Sequence, residues 1–155
     1  MAVVVVTDSS ARLPAAETHR WDIRVAPLHV LVDGHDLCDG VDDVPADLYT
    51  RGHVTTAGAT PAELSALYRQ AVLDSGGDGV VAVHISGALS STLGAAEHAA
   101  AGFAGLVRVV DSKSAAMGTG FVALAAARAA AGGADLNDVA ARARAATAEV
   151  RAYIV

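Results

Sequence analysis

Four short stretches gather the residues whose oxygens could do chemistry. "VVVVTDSS" places Asp8, Ser9 and Ser10 after an apolar run, and "HISGALSST" places Ser86, Ser90, Ser91 and Thr92 after another. "VRVVDSKS" brings Asp111 and Ser112, and "HVTTAGAT" brings Thr55 and Thr56. Hydroxyls and the free amides of a helix N-terminus bind carboxylate or phosphate oxygens. The chemistry expected here is therefore the holding of a small anion. Any one loop reads more simply as a helix cap, because Ser and Thr are common there. Their recurrence on one edge of a sheet is what points to a site.

Catalytic templates fit less well. There is no Gly-x-x-x-x-Gly-Lys-Ser/Thr phosphate loop. "GALSS" is not the Gly-x-Ser-x-Gly elbow of a hydrolase. His84 and Ser86 would share one face of a strand, which leaves a base–nucleophile pair open, although His84 reads better as a satisfied core or rim histidine. Asp33, Asp36, Asp39, Asp42 and Asp43 lack the pattern of a calcium loop and read as a solvated turn face. His19, His29, His35, His53 and His98 show no metal-ligand spacing.

These loops must be positioned by the elements around them. Ala2–Val6 is a β-branched run, suited to a parallel strand covered on both faces. A short helix is expected from Pro14, an extended segment over Ile23–Val32, and a short helix from Pro45 to Tyr49. Asp33-Gly34 and Asp39-Gly40 signal turns, and so a hairpin or an excursion off the sheet. "TPAELSALYRQAVLDSGG" is the clearest boundary: Thr60 caps, Pro61 opens, Glu63 completes a capping box and Gly76-Gly77 stops the helix. Gly79–Ile85 and Leu106–Val110 read as strands, and Ser91–Ala101 and Ala115–Ala131 as helices. Within the last, "GTG" at Gly118–Gly120 suits close packing. Asp135 or Asn137 caps a final helix. Strands alternating with helices at this spacing predict an α/β fold: three layers, α/β/α, around a mainly parallel sheet of about four to five strands. Residues 1–150 form this domain, and 151–155, "RAYIV", read as the start of a strand leading to a second domain.

The chain has 155 residues and a net charge of −6, which disfavours nucleic acid and anionic membranes as main partners. No stretch reads as a transmembrane segment, because Arg128 interrupts the short alanine-rich run. Cys38 is the single cysteine, which suits a reducing cytoplasm.

The same stretches resemble the DegV family. "VVVTDSSARLP" is similar to that family's "TDS…LP" opening, and "HISGALSSTLGAAEHAA" to its "iSs-x-LSGTyqsA" motif. "VRVVDSKSAAMGTG" resembles its "DS-x-x-x-s-x-G-x-G" segment, "VTTAGATPAEL" its "TSqPs" loop, and "PLHVLVDGHDLCDGVD" its "Pl-x-v…D-g" region. The matches run in order along essentially the whole chain. The resemblance implies a long-chain fatty acid as ligand and no other cofactor or metal. Its tail would lie between two domains and its carboxylate on Ser and Thr hydroxyls, for presentation to a fatty acid kinase. Carried over by position, Ser90, Thr55, Thr56 and Ser86 are expected to bind the carboxylate, with Asp8, Ser9, Ser91 and Asp111 shaping the cleft. The chain departs from the pattern at Ala57, Gly58, Ser91 and Leu93, and the family's second α/β domain is missing. A carrier rather than a catalyst is implied. The alternative is a small-molecule enzyme, either a serine hydrolase using Ser90 with His84 or a domain like the substrate-binding half of dihydroxyacetone kinases.

Overall fold

Branching at Cβ stiffens valine and favours the pleated strand, where both faces can be buried. The two valine-rich runs follow this rule: β1 (Val4–Asp8) and β6 (Val80–His84) are buried at every position. The computed structural model describes residues 1–153. Around these strands it places α1 (Ala15–Trp21), β2 (Arg24–Ala26), β3 (His29–Val32), β4 (His35–Cys38), β5 (Val54–Ala57), α2 (Pro61–Asp74), α3 (Thr92–Ala100), β7 (Val107–Asp111), α4 (Met117–Ala131) and α5 (Leu136–Glu149).

The main sheet has four parallel strands in the order β2-β1-β6-β7. Alternate residues serve opposite layers, as the strand period requires. Val3, Val5, Val81 and Val83 pack with Val122, Ala126 and Val139 of α4 and α5. Val4, Val6, Val80 and Ala82 pack with Leu64, Tyr68 and Ala96 of α2 and α3. The result is the expected three-layer α/β/α arrangement. Its alanine-rich helices sit close to their neighbours: a β-carbon on Gly120 of α4 would lie 2.7 Å from the Ala11 carbonyl oxygen.

From β1 the chain moves outward to β2 on one side, then returns to β6 and β7 on the other. The two halves therefore diverge at the β1/β6 junction, where open α/β sheets bind ligands beyond the strand ends. Asp8 and His84 are the last residues of those two strands.

A second, antiparallel sheet of three strands, β4-β3-β5, stands off the first. Its hairpin turns at Asp33-Gly34, with φ of 49° and 83°, the two positive angles of a type I′ turn. The expected single segment Ile23–Val32 is in fact two strands in two sheets. Pro27, which has no N–H to give a ladder, lies in the break between them. The expected Pro45–Tyr49 helix is reduced to a 3-10 turn at Leu48–Thr50, closed by Thr50 N–H donating to the Asp47 carbonyl. The α2 capping box forms as read: Thr60 Oγ1 accepts from Glu63 N–H, and the Glu63 carboxylate accepts from Thr60 N–H. Asp135 caps α5. Of the strand expected at the end, Arg151–Tyr153 adopt no regular element, and Ile154 and Val155 lie outside the described residues.

Candidate functional site

After β6 the chain folds into a tight turn built by Ser86. Its amide donates to the Ser114 carbonyl at 2.9 Å, and its own carbonyl accepts from Leu89 and Ser90 N–H. Its hydroxyl oxygen accepts from Ala88 N–H at 3.2 Å. This turn delivers Ser90 to the start of α3. Ser90 Oγ accepts from Thr92 N–H at 3.2 Å and lies 2.9 Å from Thr92 Oγ1. Thr92 is fully buried, and its hydroxyl proton needs an acceptor, which Ser90 supplies. Either hydroxyl can donate in that pair; with Thr92 as donor, Ser90 accepts two hydrogen bonds and its own proton is free to point outward.

The loop after β5 comes up against this first turn. A β-carbon at Gly58 would stand 2.6 Å from Thr92 Oγ1 and 3.0 Å from Ser91 Oγ. Only glycine allows that approach. It sets Thr56 and the Ala57–Thr60 loop opposite Ser90 and Ser91 across a cleft of about 930 Å³. Leu28, Val30, Ile85, Leu89 and Ala95 give the cleft apolar walls, while Arg12, His29 and His98 add cationic or ionisable groups. Such a volume lies at the upper end of the range for small-molecule sites, about 300–1,000 Å³. Arg12 reaches Asp39 at 3.1 Å. Both residues also line a smaller hollow of about 370 Å³ with Thr7, Leu13 and Thr18.

Beneath the cleft lies a buried polar chain. His84 Nδ1 is 2.9 Å from Asp8 Oδ2, and His84 Nε2 is 2.7 Å from the Tyr68 hydroxyl. All three side chains are fully buried. Asp8 also accepts from the Ile85 amide at 3.0 Å and from the Ser10 amide and hydroxyl. Burial alone would raise the Asp8 pKa. Hydrogen bonds from His84, Ser10 and Ile85, with the attraction of His84, outweigh burial and leave it lowered. Burial, and then the charge of Asp8, push the Tyr68 phenol far up, so it stays a hydroxyl.

At the cleft's outer wall, His29 stands between two carboxylates, with Nδ1 2.8 Å from Asp36 and Nε2 2.9 Å from Glu63. Both ring nitrogens can donate only in the imidazolium form. The hydrogen bond to Asp36, opposed by burial and aided by the charges of Glu63 and Asp36, raises the His29 pKa. The Glu63 pKa is lowered, first by the Thr60 amide. His29 thereby ties the small sheet to α2.

Of the residues singled out from sequence, Ser90, Ser91 and Thr56 line the cleft. Thr55 alternates to the other face of β5 and is not among the lining residues. Ser86 is committed to its turn. Asp111 accepts from Lys113 N–H at 2.8 Å and lies outside the cleft. Asp8 and Ser9 act from behind: Asp8 holds the Ile85 amide, and Ser9 Oγ accepts from Leu28 N–H at 3.0 Å. Both partners, Ile85 and Leu28, line the cleft. Among the described residues neither Ser86 nor Ser90 hydrogen-bonds to His84, whose two nitrogens are taken by Asp8 and Tyr68. No cluster of metal-ligating side chains occurs among the described residues. Sequence reading missed Arg12, His29 and His98 as cleft residues. His29 is brought in by strand pairing, Arg12 by the turn after β1 and His98 by the packing of α3, and nothing in their local sequence marks them.

A family model described as "Uncharacterised protein, DegV family" matches residues 2–155. A DegV domain-containing protein of Mycobacterium tuberculosis is 61% identical over 154 residues, which is 99% of this chain and 55% of the relative. One from Streptomyces coelicolor is 37% identical over 155 residues, 97% of this chain and 55% of its own. Among solved structures, a fatty-acid-binding DegV family protein from Thermus thermophilus superposes with a TM-score of 0.87 at 33% identity, covering 96% of this chain and 54% of that one. DegV, a fatty acid binding protein from Bacillus subtilis, gives 0.84 at 25% identity, covering 96% and 54%. The chain spans about half the length of the curated relatives it matches.

Proposed function

The chain belongs to the DegV family, and on that premise we propose that it binds a long-chain fatty acid, with the carboxylate on the Ser90 and Thr56 hydroxyls. The observation that carries the reading is the cleft itself: oriented hydroxyls at the start of α3 face an apolar-walled space at the sheet's divergence point. A carboxylate at a helix N-terminus gains about 0.3–1 kcal/mol. Each buried methylene contributes about 0.8 kcal/mol, so ten of them contribute about 8 kcal/mol. The tail then sets affinity, and the hydroxyls set orientation. The relatives' further length is the natural source of the cleft's other wall. The binding reading needs no nucleophile, and the commitment of both His84 nitrogens weighs against a Ser90–His84 hydrolase. In this reading the protein is a cytoplasmic carrier that presents the acid to a fatty acid kinase, and is not itself a catalyst.

Organic extraction and mass spectrometry of the purified protein test this. Near-stoichiometric long-chain acid, reduced by Ser90→Ala and Thr56→Ala, is the expected result. Absence of acyl lipid and no uptake of added oleate overturn it, as does ester turnover abolished by Ser90→Ala.

A further inference from the structure

Ser91 occupies the N-cap position of α3 and yet does not cap it. Its backbone is helical, with φ −69° and ψ −8°, where a capping residue is normally extended. From that conformation its hydroxyl makes no capping hydrogen bond, and Ser90 takes the Thr92 amide instead. Ser91 Oγ has no hydrogen-bond partner among the described residues and lines the cleft beside Ser90. A β-carbon at Gly58 would stand 3.0 Å from it.

We infer that Ser91 is a further hydroxyl donor to the ligand's head group, beside Ser90 and Thr56, and that Gly58 is the small residue that leaves room for it. The inference rests on the fatty-acid reading and specifies how the head group is recognised. An ionised carboxylate has two oxygens and only accepts hydrogen bonds. Ser90 offers one proton, held in place by its two bonds to Thr92. Ser91, which is exposed to solvent, offers another that no protein group among the described residues accepts. Two adjacent donors favour a carboxylate over an uncharged ester, because hydrogen bonds to a charged group are about twice as strong as neutral ones. Ser91 therefore determines specificity for the free acid, while Ser90 anchors it.

Binding of oleate and of methyl oleate, measured by displacement of a fluorescent fatty acid probe, separates the possibilities. In Ser91→Ala the dissociation constant for oleate should rise about 3- to 30-fold, with that for methyl oleate within about twofold of wild type. Ser91→Thr, which keeps the hydroxyl, should restore oleate affinity. Unchanged oleate affinity in Ser91→Ala, or equal loss for acid and ester, overturns the role of Ser91 while leaving the fatty-acid reading standing. A wild-type protein that binds neither compound overturns both.

Discussion

Replacing Tyr68 with phenylalanine removes one oxygen atom from the middle of the fold. The ring still fills its place against Phe103, 6.3 Å away between centroids. What is lost is the 2.7 Å hydrogen bond to His84 Nε2. Both residues are fully buried, so water cannot replace it. A buried polar group left unpaired costs about 1–3 kcal/mol. For a chain of this size each kcal/mol lowers the melting temperature by about 2–4 °C, so the loss should be about 2–12 °C. His84→Leu should cost more, about 3–5 kcal/mol, because it strips the ionised Asp8 of its principal partner. In the double variant the two costs should not add: with the imidazole gone, loss of the phenol hydroxyl matters less, and the coupling should be at least about 1 kcal/mol. Urea denaturation of the four proteins measures this, with an unchanged slope confirming that the unfolded state is comparable. A neutral Tyr68→Phe, or strictly additive single costs, would refute a network that works as a unit. The Asp8 pKa is lowered from its ordinary 3.8. Its contribution is therefore complete above that value and lost as pH falls through the lower folded value.

His29 predicts the opposite pH dependence. Its pKa is raised from 6.5, so its contribution is complete below that pH and lost as pH rises through the folded value. Asp36 and Glu63 are 57% and 45% exposed, which holds the effect below about 1 kcal/mol. Thermal melts from pH 6 to 9 should fall in the wild type and stay flatter in His29→Gln. Gly58→Ala should cost about 1–3 kcal/mol, because its methyl group meets Thr92 Oγ1 at 2.6 Å; chemical denaturation reads the loss directly. Ala116 precedes α4 with φ 50° and ψ −140°, a region that penalises a side chain. Ala116→Gly should therefore stabilise the protein by about 1 kcal/mol in the same assay, despite the flexibility glycine adds to the unfolded chain.

What the sequence discloses here is mostly local. The capping box at Thr60–Glu63, the Asp33-Gly34 turn and the β-branched runs of β1 and β6 each depend on neighbours within a few residues. The elements they predict are the ones observed. Ile23–Val32 has the composition of one strand. Only long-range pairing divides it, with Arg24–Ala26 beside β1 and His29–Val32 beside β5. The candidate site divides the same way. Ser90 and Ser91 follow from the strand-to-helix junction. Whether Thr55 or Thr56 faces the cleft depends on β5 register, in which Thr56 pairs with Val30. Asp8 and His84 are 76 residues apart, and nothing in either neighbourhood announces the other. His29 gains its two carboxylates from β4 and α2, so its charge state belongs to the tertiary structure.

The most direct test of carboxylate binding at this cleft is a titration of the nitrogen-15-labelled protein with oleate, followed by amide chemical shifts. The account predicts the largest changes at Thr56, Gly58, Ser90, Ser91 and Thr92, with methyl oleate moving them less. Changes centred on Thr7, Leu13 and Thr18, or spread evenly over the protein, would contradict it.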